Sequence, residues 1–251
     1  MRKKLIAGNW KMYKTDPEAI ALAGAIKAGF NGSDKADVLL CPAFTSIKTV
    51  ADLVAGSPIM VGGQNMGWET EGAFTGEISP QMLLTTGCKY VIIGHSERRE
   101  FFSESDQLIG RKCQLALTSG LIPIVCVGEQ IEQREAGKTE EVIKAQVDGF
   151  SAEVDSSLAE KIVIAYEPVW AIGTGKTATP QMAVDVHKLI RSLWAKKFGS
   201  EIADKLQILY GGSVKPENAK ELLGEVEIDG ALIGGASLSD DKFLKIISVV
   251  L

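Results

Sequence analysis

The chain has 251 residues, with 27 Lys and Arg against 32 Asp and Glu, giving a formal charge of −5. Hydrophobic residues make up 45% and charged residues 24%, a globular composition that excludes disorder, collagen and coiled coil. At this length one core buries roughly 70–75% of the unfolded surface without a disulfide or metal staple, and the mildly acidic balance lacks the basic footprint of a nucleic-acid binder.

Met1-Arg2-Lys3-Lys4 imitates the basic region of a signal peptide, but only Leu5-Ile6-Ala7 follow before Gly8, too few for its apolar segment. Leu5–Asn9 reads instead as a first strand. Further runs rich in Val, Ile and Leu come at Asp37–Cys41, Ile59–Gln64, Tyr90–Ile93, Ile122–Val127, Ile162–Tyr166, Gln207–Tyr210 and Gly230–Ile233. Near-continuous apolar character of this kind suits parallel strands covered on both faces. The longest run, Leu121–Val127, is far too short to span a bilayer.

Helical sequence fills the intervals. Thr15-Asp16-Pro17-Glu18, Thr179-Pro180 and Lys215-Pro216-Glu217 each place Pro near a first helical turn, where its missing N–H costs nothing. Across Pro180–Lys197, the residues Met182, Val186, Leu189, Ile190 and Leu193 form one apolar stripe at steps of three or four. Eight strands alternating with helices predict an α/β chain folded as a single (β/α)8 barrel domain over residues 1–251. A doubly wound open sheet is the competing architecture, but it usually carries a Gly-rich turn after its first strand, where this chain has Gly8-Asn9-Trp10-Lys11-Met12. Cys41, Cys88, Cys113 and Cys126 form no C-x-x-C pair. They read as free thiols in a reducing compartment, so a cytoplasmic protein is expected.

In such barrels chemistry gathers at the C-terminal ends of the strands. Strand 1 delivers Asn9 and Lys11 there, strand 4 delivers Gly94-His95-Ser96-Glu97-Arg98-Arg99, and strand 6 delivers Glu167-Pro168-Val169-Trp170. Strands 7 and 8 end in Gly211-Gly212-Ser213 and Gly234-Gly235. A Gly-Gly pair by itself is an ordinary tight turn. Two at adjacent strand ends, where this fold keeps its phosphate site, predict backbone N–H groups free to approach a phosphate. Gly173-Thr174-Gly175-Lys176-Thr177 is not a nucleotide-binding P-loop, since position 170 is Trp170 and not the required glycine. Between Pro168 and Ala178 it reads as a lid over a ligand, with an ordinary long loop as the plainer reading.

Glu167 lies where lid closure would desolvate it, raising its pKa and making it a better proton acceptor. His95 precedes residues that can open a helix, whose N-terminus favours a neutral imidazole. His187, on the helix after the lid, is read as structural. Lys11 can set positive charge against a substrate oxygen and Asn9 can add a hydrogen bond. Arg98 and Arg99 read as partners of nearby carboxylates. A metal held by His95, Glu97 and Glu167 is disfavoured by Lys11 among them. A neutral electrophile, a carboxylate base, a lysine and a phosphate cradle suit proton abstraction beside the carbonyl of a small phosphorylated sugar.

These residues carry a resemblance. Ala7–Met12, Gly94–Arg99, Ala165–Lys176, Tyr210–Val214 and Gly234–Ser237 resemble, in order and from end to end, the signatures of the triosephosphate isomerase family, whose members are TIM barrels. The resemblance implies interconversion of dihydroxyacetone phosphate and glyceraldehyde 3-phosphate, in glycolysis and gluconeogenesis, with no metal or organic cofactor. It implies Glu167 as base, His95 as neutral electrophile, Lys11 and Asn9 as stabilisers of negative charge, and Glu97 as the partner of Lys11. It further implies that backbone groups of Gly173, Ser213, Gly234 and Gly235 hold the phosphate. Family members are generally homodimers, and the corresponding interface loop is Gln64–Glu77, with Met66, Trp68, Phe74 and Thr75. No nucleic acid or membrane partner is expected. The competing readings are a phosphosugar aldolase using Lys11 in a Schiff base, and a phosphometabolite-binding protein without turnover.

Overall fold

The computed structural model describes residues 2–172 and 178–251. Eight parallel strands close into a barrel in chain order: β1 Lys4–Asn9, β2 Ala36–Cys41, β3 Ile59–Gly63, β4 Tyr90–Ile93, β5 Ile122–Val127, β6 Val163–Tyr166, β7 Gln207–Tyr210 and β8 Gly230–Ile233. Closure comes from β1, which pairs with β2 from Lys4↔Ala36 to Asn9↔Cys41 and with β8 from Leu5↔Gly230 to Gly8↔Ile233. The (β/α)8 expectation is therefore borne out, and the open sheet is excluded by the β1–β8 pairing.

The continuous hydrophobicity of the strands has a direct cause in this arrangement. Successive side chains point to opposite faces, and here both faces are interior. Leu5, Ala7, Leu39, Cys41, Tyr90, Ile92, Ile124, Cys126, Val163, Ala165, Leu209 and Leu232 fill the barrel. Their neighbours Ile6, Val38, Leu40, Val91, Ile93, Val125, Ile164, Ile208 and Ala231 pack outward with the helices.

Four strand limits differ by one residue from the sequence reading. Strands β1 and β2 start earlier, at Lys4 and Ala36, and β6 starts later, at Val163. Lys4 belongs to the ladder because it pairs with Ala36, its N–H donating to Lys35 O (2.9 Å), and its ammonium reaches the carbonyls of Glu225 and Ile228 at the foot of the barrel. Strand β3 stops at Gly63, and Gln64 leaves the ladder to point its side chain at β1 and β2.

The Pro-marked helix starts hold. Thr15 and Glu18 form a capping box for the helix Asp16–Gly29, Thr179 Oγ1 accepts from Met182 N (3.2 Å) ahead of Pro180–Phe198, and Pro216 opens Pro216–Gly224. The apolar stripe of Pro180–Phe198 is rotated from its expected position. Its buried side is Ala183, Val184, Val186, His187, Ile190 and Trp194, while Met182, Leu189 and Leu193 are only partly buried. Trp194 sets that rotation by packing on Phe150 (5.9 Å between ring centroids) and Phe198 (4.5 Å). All four cysteines are buried free thiols. Among the described residues no helix is long and apolar enough to cross a membrane.

Candidate active site

The predicted side chains meet at the C-terminal mouth of the barrel. They line a cavity of about 750 Å³ that takes in Asn9, Lys11, His95, Glu167, Ser213, Gly234 and Gly235.

The turn after β4 sets His95. Gly94 adopts φ +68°, and a Cβ there would lie 2.6 Å from Ile109 Cδ1, so only glycine fits both the conformation and the space. The turn makes His95 the N-cap of the helix Ser96–Phe102, and its Nδ1 accepts from the Glu97 N–H (3.3 Å). An imidazole nitrogen that accepts carries no proton, so the proton sits on Nε2, which lies 2.9 Å from Glu167 Oε1. The other carboxylate oxygen of Glu167, Oε2, accepts from the Ser96 N–H (2.8 Å). Both residues are buried, Glu167 at 2% exposure and His95 at 6%.

Backbone clearance around Glu167 depends on two glycines. A Cβ on Gly128 would fall 1.7 Å from the Glu167 carbonyl oxygen, and one on Gly211 would fall 2.9 Å from Glu167 Cγ. The Glu167 N–H donates to Val127 O (2.8 Å) and the Gly211 N–H to Tyr166 O (2.7 Å). The Glu167 backbone is thereby held between the ends of β5 and β7.

The electrostatics correct the sequence reading. Burial does push the Glu167 pKa up, but the facing His95, the Ser96 N–H and Lys11 outweigh it and hold the carboxyl below its ordinary value. Burial likewise pushes His95 down, and the Glu167 carboxylate beside it reverses the sign, leaving the imidazole raised. The sequence, which shows the desolvation and the helix N-terminus but not the direct Glu167–His95 contact, predicts the opposite directions. The Glu97 N–H facing Nδ1 favours the tautomer with its proton on Nε2, while the carboxylate that takes that Nε2–H is the partner that favours a charged ring.

Lys11 reaches Glu97 Oε1 in an ion pair. Its own backbone is unusual, at φ +50°, and its N–H donates to Asn9 Oδ1 (3.0 Å). Asn9, 5% exposed, thus spends its carbonyl oxygen on the turn and keeps its amide nitrogen for the cavity. On the opposite wall, Ser237 Oγ donates to Gly234 O (2.7 Å) and Asn218 Nδ2 to Ser213 O (3.0 Å). These bonds fix the two Gly-rich turns with their carbonyls occupied. Gly173, predicted to complete the cradle, lies outside the described residues, as do residues 173–177 of the lid predicted between Pro168 and Ala178.

Arg98 pairs with Glu104 (2.6 Å) and Arg99 with Asp106 (2.6 Å), as expected for structural residues. His187 is buried on the helix side of β6, with Nδ1 at 2.9 Å from Glu227 O. Three participants escaped the sequence reading: the Ser96 N–H, Gln64 and Glu129. Buried Glu129 accepts on one oxygen from Tyr166 (3.1 Å), Trp170 (3.1 Å) and Arg134 (2.9 Å) just behind the site. Ser96 stands within the Gly94–Arg99 motif, but its N–H contact with Glu167, like the contacts of Gln64 with Lys11 and Cys41 and of Glu129 with Tyr166 and Trp170, joins residues far apart in the chain. Among the described residues no group of three or more His, Cys, Asp or Glu is arranged to hold a metal ion.

The family model "Triosephosphate isomerase" matches residues 4–250. The chain belongs to the triosephosphate isomerase family. It is 52% identical over 248 residues to the triosephosphate isomerase of Solibacter usitatus, covering 99% of this chain and 100% of that one. It is 54% identical over 247 residues to the triosephosphate isomerase of Chloroflexus aurantiacus, covering 98% and 99%. The triosephosphate isomerase of Carboxydothermus hydrogenoformans matches at 54% over 247 residues, 98% of each chain. Membership of the triosephosphate isomerase family accords with the eight-stranded barrel.

Proposed function

We propose that the chain interconverts dihydroxyacetone phosphate and D-glyceraldehyde 3-phosphate, as an aldose–ketose isomerase of glycolysis and gluconeogenesis. The observation that carries this reading is the buried carboxylate–imidazole pair, with Glu167 Oε1 at 2.9 Å from His95 Nε2, opening on a cavity whose far wall is two Gly-rich turns.

Glu167 is the base. Its two oxygens are satisfied by His95 and Ser96, which depresses its basicity. A substrate entering beside it takes the His95 Nε2–H for its own carbonyl oxygen. That leaves burial as the dominant influence on the carboxylate and restores its appetite for a proton. Glu167 then removes the proton from the carbon next to the carbonyl and returns it to the neighbouring carbon through an enediolate. Negative charge growing on the oxygens meets the His95 N–H, the Lys11 ammonium and the Asn9 amide, donors already in place before the reaction. Glu97 holds Lys11 against that position. Backbone N–H groups of Ser213, Gly234 and Gly235, with Gly173, hold the phosphate. Lys11 acts as a cation paired with a carboxylate, whereas a Schiff base needs a neutral amine.

We also propose that two copies associate through Gln64–Glu77. Support comes from residues 69–76, all exposed and including Phe74 at 38%, and from a second cavity of about 500 Å³ beside Lys11, Gln64, His95 and Glu97, bordered by exposed Met12, Phe44 and Phe102. Exposed aromatic and thioether surface of this extent marks an interaction face. The buried thiols suit a cytoplasmic location. Reduction of the dihydroxyacetone phosphate formed from glyceraldehyde 3-phosphate, through a coupled dehydrogenase, tests the activity; no product from a folded sample removes it.

A further inference from the structure

Lys11 sits in the left-handed region at φ +50°, which residues with a Cβ adopt uncommonly and at some cost. Its peptide environment holds it there at both ends. The N–H donates to Asn9 Oδ1 (3.0 Å), and the carbonyl accepts from Gln64 Nε2 (2.9 Å). The same Nε2 donates its second hydrogen to Cys41 O (2.9 Å), at the end of β2. Both acceptors are carbonyls, so the orientation of the amide is fixed by chemistry: the nitrogen must face them. The Cys41 carbonyl also receives the Trp10 N–H (3.1 Å), so the clamp is anchored to the barrel itself. From this backbone the Lys11 side chain runs past Gly234, where a Cβ would sit 3.4 Å from Lys11 Cε, and ends at Glu97. A relaxed φ would swing that side chain away from both.

We propose that Gln64 is a positioning residue for the Lys11 ammonium. Its side-chain amide locks the carbonyl of Lys11 to the end of β2, holding the left-handed backbone that aims Nζ into the cavity. Gln64 itself does not touch the cavity's reacting end; it acts through Lys11. The inference rests on the functional reading above for the role of Lys11, but the clamp is a statement about geometry and is tested separately from turnover. It also explains why the loop Gln64–Glu77 starts where it does, because its first residue belongs to the site.

The test is a double-mutant cycle on the full chain with Gln64→Met, Lys11→Met and the pair, read as the dissociation constant of inorganic phosphate by phosphorus NMR titration. Methionine keeps the length of glutamine and removes both N–H donors. With Lys11 present, Gln64→Met is expected to weaken phosphate binding by ~10-fold, the size of one well-made hydrogen bond to a strained site. In the Lys11→Met background the same change is expected to cost less than ~2-fold, since residues acting through one another are not additive. Equal weakening in both backgrounds would show that Gln64 supports the fold and not the ammonium, and no weakening with Lys11 present would show that the clamp is idle; either overturns the proposal. Should Gln64→Met fail to fold, Gln64→Ser in the same cycle gives the answer, because its shorter side chain cannot reach either carbonyl. A wild-type chain that binds phosphate but does not isomerise triose phosphates defeats the functional reading and leaves the clamp to be judged by the cycle alone.

Discussion

Glu167 and His95 face each other across 2.9 Å at the barrel mouth, each delivered by its own strand end. The carboxylate comes from the end of β6 and the imidazole from the turn after β4, with Ser96 N–H closing the second carboxylate oxygen at 2.8 Å. Under the proposed function, in which Glu167 is the base and His95 the electrophile, this contact restrains the one and occupies the other, and a substrate carbonyl that takes the His95 Nε2–H releases both.

Replacing the base tests that division of labour. Glu167→Gln keeps the size of the side chain and its contact with His95 but cannot accept a proton from carbon. Turnover should fall at least ~10²-fold, the scale expected for loss of a general base, while inorganic phosphate still binds. Steady-state kinetics with a phosphate titration checks both halves, and retained turnover would remove Glu167 from the mechanism.

Gly128 tests how closely the site is built. Its missing Cβ leaves room for the Glu167 carbonyl, which would otherwise lie 1.7 Å away. Backbone must move to admit a methyl group there, so Gly128→Ala should destabilise the fold by about 3 kcal/mol and lower turnover together with stability. Chemical denaturation measures the first and the coupled assay the second. A variant as stable and active as the wild type would mean that β5 and β6 shift freely against one another.

His187 gives a pH signature away from the site. Burial lowers its pKa from 6.5 to about 4, against the opposing effect of the Glu227 carbonyl. Above pH 6.5 folded and unfolded chains both hold it neutral, and its contribution to stability is complete. As the pH falls, the unfolded chain binds a proton that the folded chain refuses until about pH 4. Stability is therefore lost across that window, by up to about 3 kcal/mol. Urea titrations at pH 7 and pH 4.5 should show a steeper loss for the wild type than for His187→Asn. Equal slopes would mean that the imidazole is not held neutral.

The frame of the molecule was legible because its physical causes are local. Two-faced burial writes itself as uninterrupted Val, Ile and Leu, and Thr15, Thr179 and Pro216 mark helix starts within a few residues. Asn9, Lys11, His95 and Glu167 could be found because strand ends in a barrel converge on one rim. What sequence could not give depends on contacts between distant residues. The pKa directions of Glu167 and His95 follow from a contact between residues 72 positions apart, and the placement of Gln64 follows from the carbonyls of Lys11, past the end of β1, and Cys41, on β2. The rotated face of Pro180–Phe198 follows from where Phe150 meets Trp194.

Association through Gln64–Glu77 is expected to be stable at micromolar concentration, with light scattering giving twice the 26.9 kDa of one chain. Replacing Phe74 and Thr75 with charged residues should split the pair. A monomeric wild type would contradict the assignment of this loop.

The most direct measurement is isomerisation of D-glyceraldehyde 3-phosphate by the purified chain, with metal chelator present and the dihydroxyacetone phosphate formed reduced through a coupled dehydrogenase. Rapid turnover in the wild type, lost in Glu167→Gln, is the predicted result. A folded wild type that binds phosphate yet forms no dihydroxyacetone phosphate would contradict the account at its centre.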